Sequence, residues 1–125
     1  MDIRRIIFIK KSPFRMEYLF LLQLNGNENM IRFTGLESRT DKESINSKVV
    51  NDTIVTNFLE HFFRIVSNWN DTYINKNTLD ATTWNIVIEY KNGKQKEYQG
   101  VDSYPINFDS LERLIDKTIK EIGGD

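Results

Sequence analysis

The sequence predicts one α+β domain, in which an antiparallel sheet of about five strands carries two helices on one face, in the order β-β-β-α-β-β-α. Residues 83–100 contain alternating apolar side chains, an Asn-Gly pair and a returning strand. Residues 52–69 and 108–122 carry apolar side chains at spacings of three and four, which is typical of amphipathic helices. A chain of 125 residues is long enough to form a single domain, 1–125, with its own core.

The first three predicted strands lie in the N-terminal third. Residues 3–11 are apolar at both alternating sets of positions between charged ends, as in a strand that is covered on both faces. A second strand is predicted over 17–25, a turn over the Asn- and Gly-rich residues 25–29, and a third strand over 30–34. The residues expected on the buried face of the second and third strands are Tyr18, Phe20, Leu22, Leu24, Ile31 and Phe33.

Two polar segments, 36–51 and 70–82, are predicted to be exposed loops. The first helix lies between them, and either Asn51 or Asp52 can cap its first turn. Its buried stripe is predicted to contain Val55, Phe58, Leu59, Phe62, Ile65, Val66 and Trp69.

The central hairpin follows the second polar segment. Asn92-Gly93 is a strong turn signal because both residues tolerate positive φ. A three-residue loop at 91–93 with a left-handed Gly93 sets Tyr98 opposite Ile86 on the buried face, whereas a two-residue loop turns Tyr98 to solvent. We therefore expect the three-residue loop, a buried Trp84, and a polar edge strand over 94–99.

The second helix is predicted over 108–122, and two N-terminal caps remain open. Asn107 at the N-cap position would bring Ile106 against Leu111, whereas Asp109 and Glu112 would form a capping box. The apolar stripe of this helix contains Leu111, Leu114, Ile115, Thr118, Ile119 and Ile122.

The C-terminal third carries a pattern that spans the hairpin and the start of the last helix: Trp84-x-Ile-x-Ile-x-Tyr90, Gly93, Tyr98-x-Gly100 and Tyr104-Pro105-x-Asn107-Phe108. This pattern resembles the C-terminal third of small uncharacterised proteins of Gram-positive bacteria and their phages or mobile elements. The resemblance implies the same order of strand, hairpin, loop and helix and the same kind of source. It carries over no activity and no catalytic or binding residue.

Composition argues against several classes of function. The chain has no Cys, so disulfides, thiolate metal sites and thiol nucleophiles are excluded. Its formal net charge of -1 provides no general attraction to phosphate or to anionic membranes. The glycines match neither a dinucleotide-binding nor a P-loop pattern. The short apolar run near the N-terminus suits neither a signal peptide nor a membrane span, so we expect a cytoplasmic protein.

One catalytic hypothesis remains. Asp80, Glu89 and Lys91 resemble the D...E-x-K core of metal-dependent nucleases, in which two carboxylates hold a divalent ion and a lysine orients water. The alternative role for Glu89 is an outward-facing strand residue paired with a lysine. His61 is the only histidine and is expected to be a solvated helix residue.

One sequence feature supports nucleic-acid binding. It is a basic cluster in the first strand and its turn, with aromatic residues between the charges. Strand alternation divides these charges between two faces, which favours charged ends around a buried strand. The cluster contains Arg4, Arg5, Lys10, Lys11 and Arg15.

The function that the sequence favours is a non-enzymatic interaction protein, most specifically an inhibitor or immunity-type binder such as a phage anti-defence or toxin-immunity protein. We expect no cofactor and a protein partner. Long polar segments in a small domain are often functional, so Tyr73 and Leu79 in residues 70–82 are candidate partner-binding residues. The alternative is that both side chains fold back over the helix end near Trp69.

Overall fold

The computed structural model describes residues 2–13, 15–36, 43–77 and 81–123. These residues form an α+β structure, as the sequence predicts. In chain order its elements are β1 (Ile3–Ser12), β2 (Arg15–Leu24), β3 (Asn29–Leu36), β4 (Glu43–Val50), α1 (Asp52–Val66), β5 (Thr72–Ile74), β6 (Thr83–Tyr90), β7 (Gln95–Val101) and α2 (Phe108–Glu121).

The strands form one sheet in the order β4-β3-β2-β1-β6-β7-β5. The sheet has seven strands rather than about five, and it is mixed because β5 pairs with β7 in parallel. The two additional strands lie in the segments predicted as loops. β4 pairs with β3 over eight residues, and β5 pairs with β7 over three. Both are edge strands, and a polar sequence suits a strand that meets solvent on its outer side.

The helices pack on the same face of the sheet. Phe20 of β2 stacks on Phe58 of α1 with 5.2 Å between ring centroids, and Phe8 of β1 meets Phe108 of α2 edge-on at 5.9 Å. The strand side chains buried beneath the helices are Ile6, Phe8, Phe20, Leu22, Ile31, Phe33, Trp84, Ile86, Ile88 and Tyr98. The predicted placement of both helices on one face is therefore confirmed for the described part of the chain.

The hairpin between β6 and β7 has the predicted three-residue loop. Ile86 pairs with Tyr98, the Tyr90 N–H donates to the Lys94 carbonyl, and Gly93 has a φ of 87°. Tyr98 is consequently buried against the core. The predicted edge position of this strand is wrong, because β5 lies beyond β7 and pairs with its last three residues.

The helix N-termini differ from each other. Asn51 caps α1, since its Oδ1 accepts a hydrogen bond from the Ile54 N–H at 2.9 Å. Asn107 precedes α2 but makes no capping bond; it accepts from Trp69 Nε1 at 2.6 Å and donates to the Ile65 carbonyl at 2.9 Å. Asn107 thereby joins the end of α1 to the start of α2.

Neither predicted arrangement at the start of α2 is present. Ile106 is fully exposed, so it makes no staple against Leu111. Asp109 lies inside the helix rather than before it, and its Oδ2 is 2.9 Å from Arg113 Nη1 one turn later. The start of α2 is therefore held by the contact of Asn107 with α1 rather than by a local cap.

Candidate interaction surface

The face of the sheet opposite the helices has no described helix or strand over it. Side chains alternate along a strand, so the neighbours of the core residues Phe8, Phe20 and Ile86 point to this second face. We define the centre of this open face as Ile7, Ile9, Leu19, Leu21 and Val87, which are partly exposed. β1 is apolar on both faces, as the sequence predicts, but the described chain covers only one of them.

One row of paired residues crosses the open face through its centre. From β4 to β7 the row contains Ser47, Arg32, Leu21, Ile7, Val87 and Glu97. Arg32 and Glu97 are both exposed and lie two strands from Ile7 on opposite sides. At the usual strand spacing each charge is about 10 Å from the middle strand. The row is therefore apolar at its centre and oppositely charged at its two ends.

Exposed apolar side chains continue toward both edges of the open face. Ile45 and Val49 of β4 are 67% and 66% exposed, and Ile74 of β5 is 55% exposed. Ile45 pairs with Thr34, and Thr34 pairs with Leu19, so Ile45 points to the open face. Beside Ile74 the face contains a depression of about 390 Å³, whose lining includes Ile9, Asn85 and Gln99.

Glu89 lies at one end of the open face and is held by two arginines. Its Oε1 accepts from Arg4 at 2.7 Å, and its Oε2 accepts from Arg5 Nε at 2.6 Å. The Glu89 side chain is only 5% exposed, so its negative charge is balanced where water has little access. The hydrogen bond from Arg4, together with Arg5, holds the pKa of Glu89 below its usual range despite the opposing effect of burial.

The lowered pKa of Glu89 predicts a pH-dependent stability. A carboxylate with a depressed folded-state pKa stabilises the fold above its unfolded pKa of about 4.3 and loses that contribution as the pH falls through the folded value. We therefore expect Glu89→Gln to be less stable than the wild type at pH 7. The difference should narrow as the pH falls below about 4.3. Urea denaturation of both proteins between pH 7 and pH 3 measures it, and a constant difference would contradict a lowered pKa.

The nuclease-like residues are only partly described. Glu89 binds both arginines, Lys91 is exposed in the hairpin loop, and Asp80 lies outside the described residues. A divalent ion at Glu89 would have to displace Arg4 and Arg5. The nuclease hypothesis stays an untested prediction, and the contacts of Glu89 do not favour it.

The basic residues of the N-terminal strand do not lie together. Arg4 and Arg5 bind Glu89, whereas Lys10 lies on the helix side with its Nζ 3.1 Å from Glu112 Oε2. Lys11 is exposed and lines the depression on the open face. The side chain of Arg15 is outside the described part. Nucleic-acid binding by this strand stays a prediction.

Tyr73 lies on the core side of β5. It is partly buried, its ring centroid is 6.1 Å from that of Trp84, and its hydroxyl accepts from the Asn70 N–H at 2.8 Å. Leu79 falls outside the described residues, so the structure does not bring the two candidates together. Their proposed role in partner binding stays a prediction. His61 is exposed on α1, with Nδ1 2.8 Å from the Asn57 carbonyl oxygen.

The central residues of the open face were not identified as functional from the sequence. The available signal was the apolar character of both faces in residues 3–11, together with Leu19 and Leu21 between the core residues of the second strand. This pattern predicted burial on both faces. It cannot distinguish a cover supplied by the same chain from one supplied by a partner.

Comparison with known proteins identified no matching family model, no matching curated protein and no matching solved structure. Neither of the two described helices is both long enough and apolar enough to cross a membrane.

Proposed function

We propose that the protein is a non-enzymatic interaction protein that binds another protein chain through the open face of its sheet. The observation that carries this proposal is the apolar centre that the described residues leave partly exposed, formed by Ile7, Ile9, Leu19, Leu21 and Val87. An inhibitor or immunity-type role is the specific form that we favour, because such proteins act by covering a target surface and need no reaction site.

The composition of the open face supports a protein partner. Contiguous exposed apolar surface with a polar rim is typical of protein–protein interfaces. Here the apolar centre is bordered by Arg32, Glu97 and Asn85. A nucleic acid would instead require a stripe of cations with stacking aromatic residues. In the described sheet the rows of Ile7 and Ile9 contain a single cation, Arg32, and no aromatic side chain.

A site-specific photo-crosslinker tests the proposed surface. The crosslinking residue is placed at Leu21 on the open face and, as a matched control, at Arg64, which is exposed on α1. In cells that produce the protein, we expect a defined covalent adduct from position 21 and none from position 64. The crosslinked chain is then identified by mass spectrometry, purified and measured for affinity.

The second half of the test is Val87→Lys. Val87 pairs directly with Glu97 across the strands, so a lysine at this position gains an oppositely charged neighbour and the fold should tolerate it. We expect the melting temperature to stay within a few degrees and the affinity for the identified chain to fall at least about tenfold, because a charge enters an apolar contact. Unchanged affinity, or equal crosslinking from positions 21 and 64, would rule out the open face as the binding surface.

A further inference from the structure

We propose that the partner of the open face is a second copy of this chain, stacked face to face about a two-fold axis parallel to β1. This inference rests on the proposed function, because it names the chain that covers the open face when no target is bound. A target would bind the same face by displacing the second copy. Three properties of the described sheet support it: the position of β1, the placement of Arg32 and Glu97, and the placement of the exposed apolar residues.

The shape of the sheet is compatible with this symmetry. β1 is the middle strand of seven, with three strands on either side. A regularly twisted sheet is a saddle, and rotation by 180° about its middle strand reproduces the same saddle facing the first. Two copies related in this way can stack at the usual separation of about 10 Å without diverging toward their edges.

The charges on the open face select the direction of the axis. With the axis along β1, Arg32 lies over Glu97 of the second copy, and Glu97 lies over its Arg32. An axis across the strands would instead place Arg32 over Arg32 and Glu97 over Glu97, which opposes association. Both charges are available for the contact. In the described part of the chain Arg32 forms no ion pair, and Glu97 accepts only the Asn85 amide, at 2.7 Å.

The apolar residues are also placed in a complementary way. The axis along β1 puts Ile7 over Ile7 and Leu21 over Val87 of the second copy. Ile45 on the β4 edge comes over the β5 edge of the second copy, where Thr72 and the exposed Ile74 lie. Ile45, the most exposed apolar side chain of the described sheet, is thus covered together with the centre of the open face.

The area of the open face is sufficient for a dimer. Seven strands span about 30 Å, and the distance along β1 from Arg5 to Lys11 is about 20 Å. This is comparable to the roughly 800 Å² of accessible surface that each partner buries in a typical specific complex. The axis also places Arg5 over Arg5 and Lys11 over Lys11. Arg5 is paired with Glu89 and Lys11 is exposed, so these two positions mark the limits of the contact.

Complementary charge variants provide the test. Wild type, Arg32→Glu, Glu97→Arg and an equimolar mixture of the two variants are compared by sedimentation velocity over a range of concentrations. We expect the wild type to dimerise. Each single variant should associate roughly 10- to 100-fold more weakly, because it places like charges opposite each other twice. The mixture should regain the dimer, because positions 32 and 97 are then both acidic in one chain and both basic in the other. Arg64→Glu on α1 is the matched control and should dimerise as the wild type does.

Three results would overturn the inference. Weak specific interfaces are detectable at about 0.5 mM. A wild type that stays monomeric at this concentration therefore does not form the proposed dimer. If the single variants dimerise as the wild type does, the dimer contact does not involve Arg32 and Glu97 and lies elsewhere. If the mixture stays monomeric while circular dichroism shows that both variants are folded, Arg32 and Glu97 do not pair between the two copies. The proposed function fails separately: a monomeric wild type that crosslinks from position 21 to a different protein refutes the second copy and keeps the open face as a binding surface.

Discussion

Trp84→Ala is expected to lower the free energy of unfolding by about 3–5 kcal/mol, the usual cost of removing a large aromatic side chain from a packed core. Trp84 is 2% exposed. Its ring centroid lies 4.9 Å from that of Phe108 at the start of α2 and 5.8 Å from that of Trp69, just beyond α1. Its Nε1 donates to the Ser103 carbonyl at 2.9 Å. The indole therefore joins the sheet to both helices and to the loop that precedes α2.

Urea denaturation of the purified variant measures this loss. Trp84→Phe is the informative control, because it keeps an aromatic ring in the core and removes only the second ring and the hydrogen bond to Ser103. We expect it to cost less than Trp84→Ala. A loss below about 1 kcal/mol for Trp84→Ala would show that the indole does not hold the two layers together.

Gly100→Ala is expected to cost about 3 kcal/mol or more, at the upper end of the usual range for overpacking. Gly100 lies opposite Trp84 on the neighbouring strand. A Cβ at this position would lie 2.1 Å from Trp84 Nε1 and 2.6 Å from the Ser103 carbonyl oxygen. The indole and the loop backbone would both have to move. The requirement for glycine is therefore one of space, and the nearest atoms belong to the buried indole of Trp84 and to the backbone of Ser103.

A double-mutant cycle identifies the cause of this loss. In the Trp84→Ala background the space of the indole is vacant, so Gly100→Ala should cost substantially less than it does in the wild type. Gly93→Asn is the matched control. Gly93 needs a left-handed backbone but has open space around it, and asparagine tolerates that conformation. Equal costs of Gly100→Ala in both backgrounds would assign the loss to the Ser103 carbonyl or the strand backbone rather than to Trp84.

The strands that carry Trp84 and Gly100 also form part of the open face. Trp84 and Gly100 lie in adjacent strands, and the same strands carry Asn85 and Gln99 on the opposite face beside the depression. Substitution of Trp84 or Gly100 should therefore displace these strands and change the open face indirectly. For this reason binding is tested with Val87→Lys and the charge pair, whose side chains lie outside the helix-covered core.

The elements predicted most accurately from the sequence were those controlled by local chemistry. The Asn-Gly turn requires positive φ at Gly93, and this requirement set the register that pairs Ile86 with Tyr98. The apolar spacing of residues 52–69 and 108–122 identified both helices because each must bury one continuous stripe. The helices end earlier than predicted, at Val66 and Glu121, so Trp69 lies beyond α1. Asn51 was correctly identified as one of two possible caps, since capping depends on neighbouring backbone N–H groups.

Only the tertiary structure decided which segments join the sheet edges and which apolar surfaces the chain covers. β4 and β5 lie within segments that are polar as a whole, and their strand conformation depends on hydrogen bonds to β3 and β7 rather than on a long apolar pattern. Asn107 was one of two predicted caps of α2, but its side chain binds Trp69 and Ile65, which are distant in sequence. The apolar pattern of β1 required cover on both faces, and folding places both helices on the same face. Ile7 and Ile9 therefore remain on the open face, because burial depends on where the rest of the chain packs and not on the strand's own sequence.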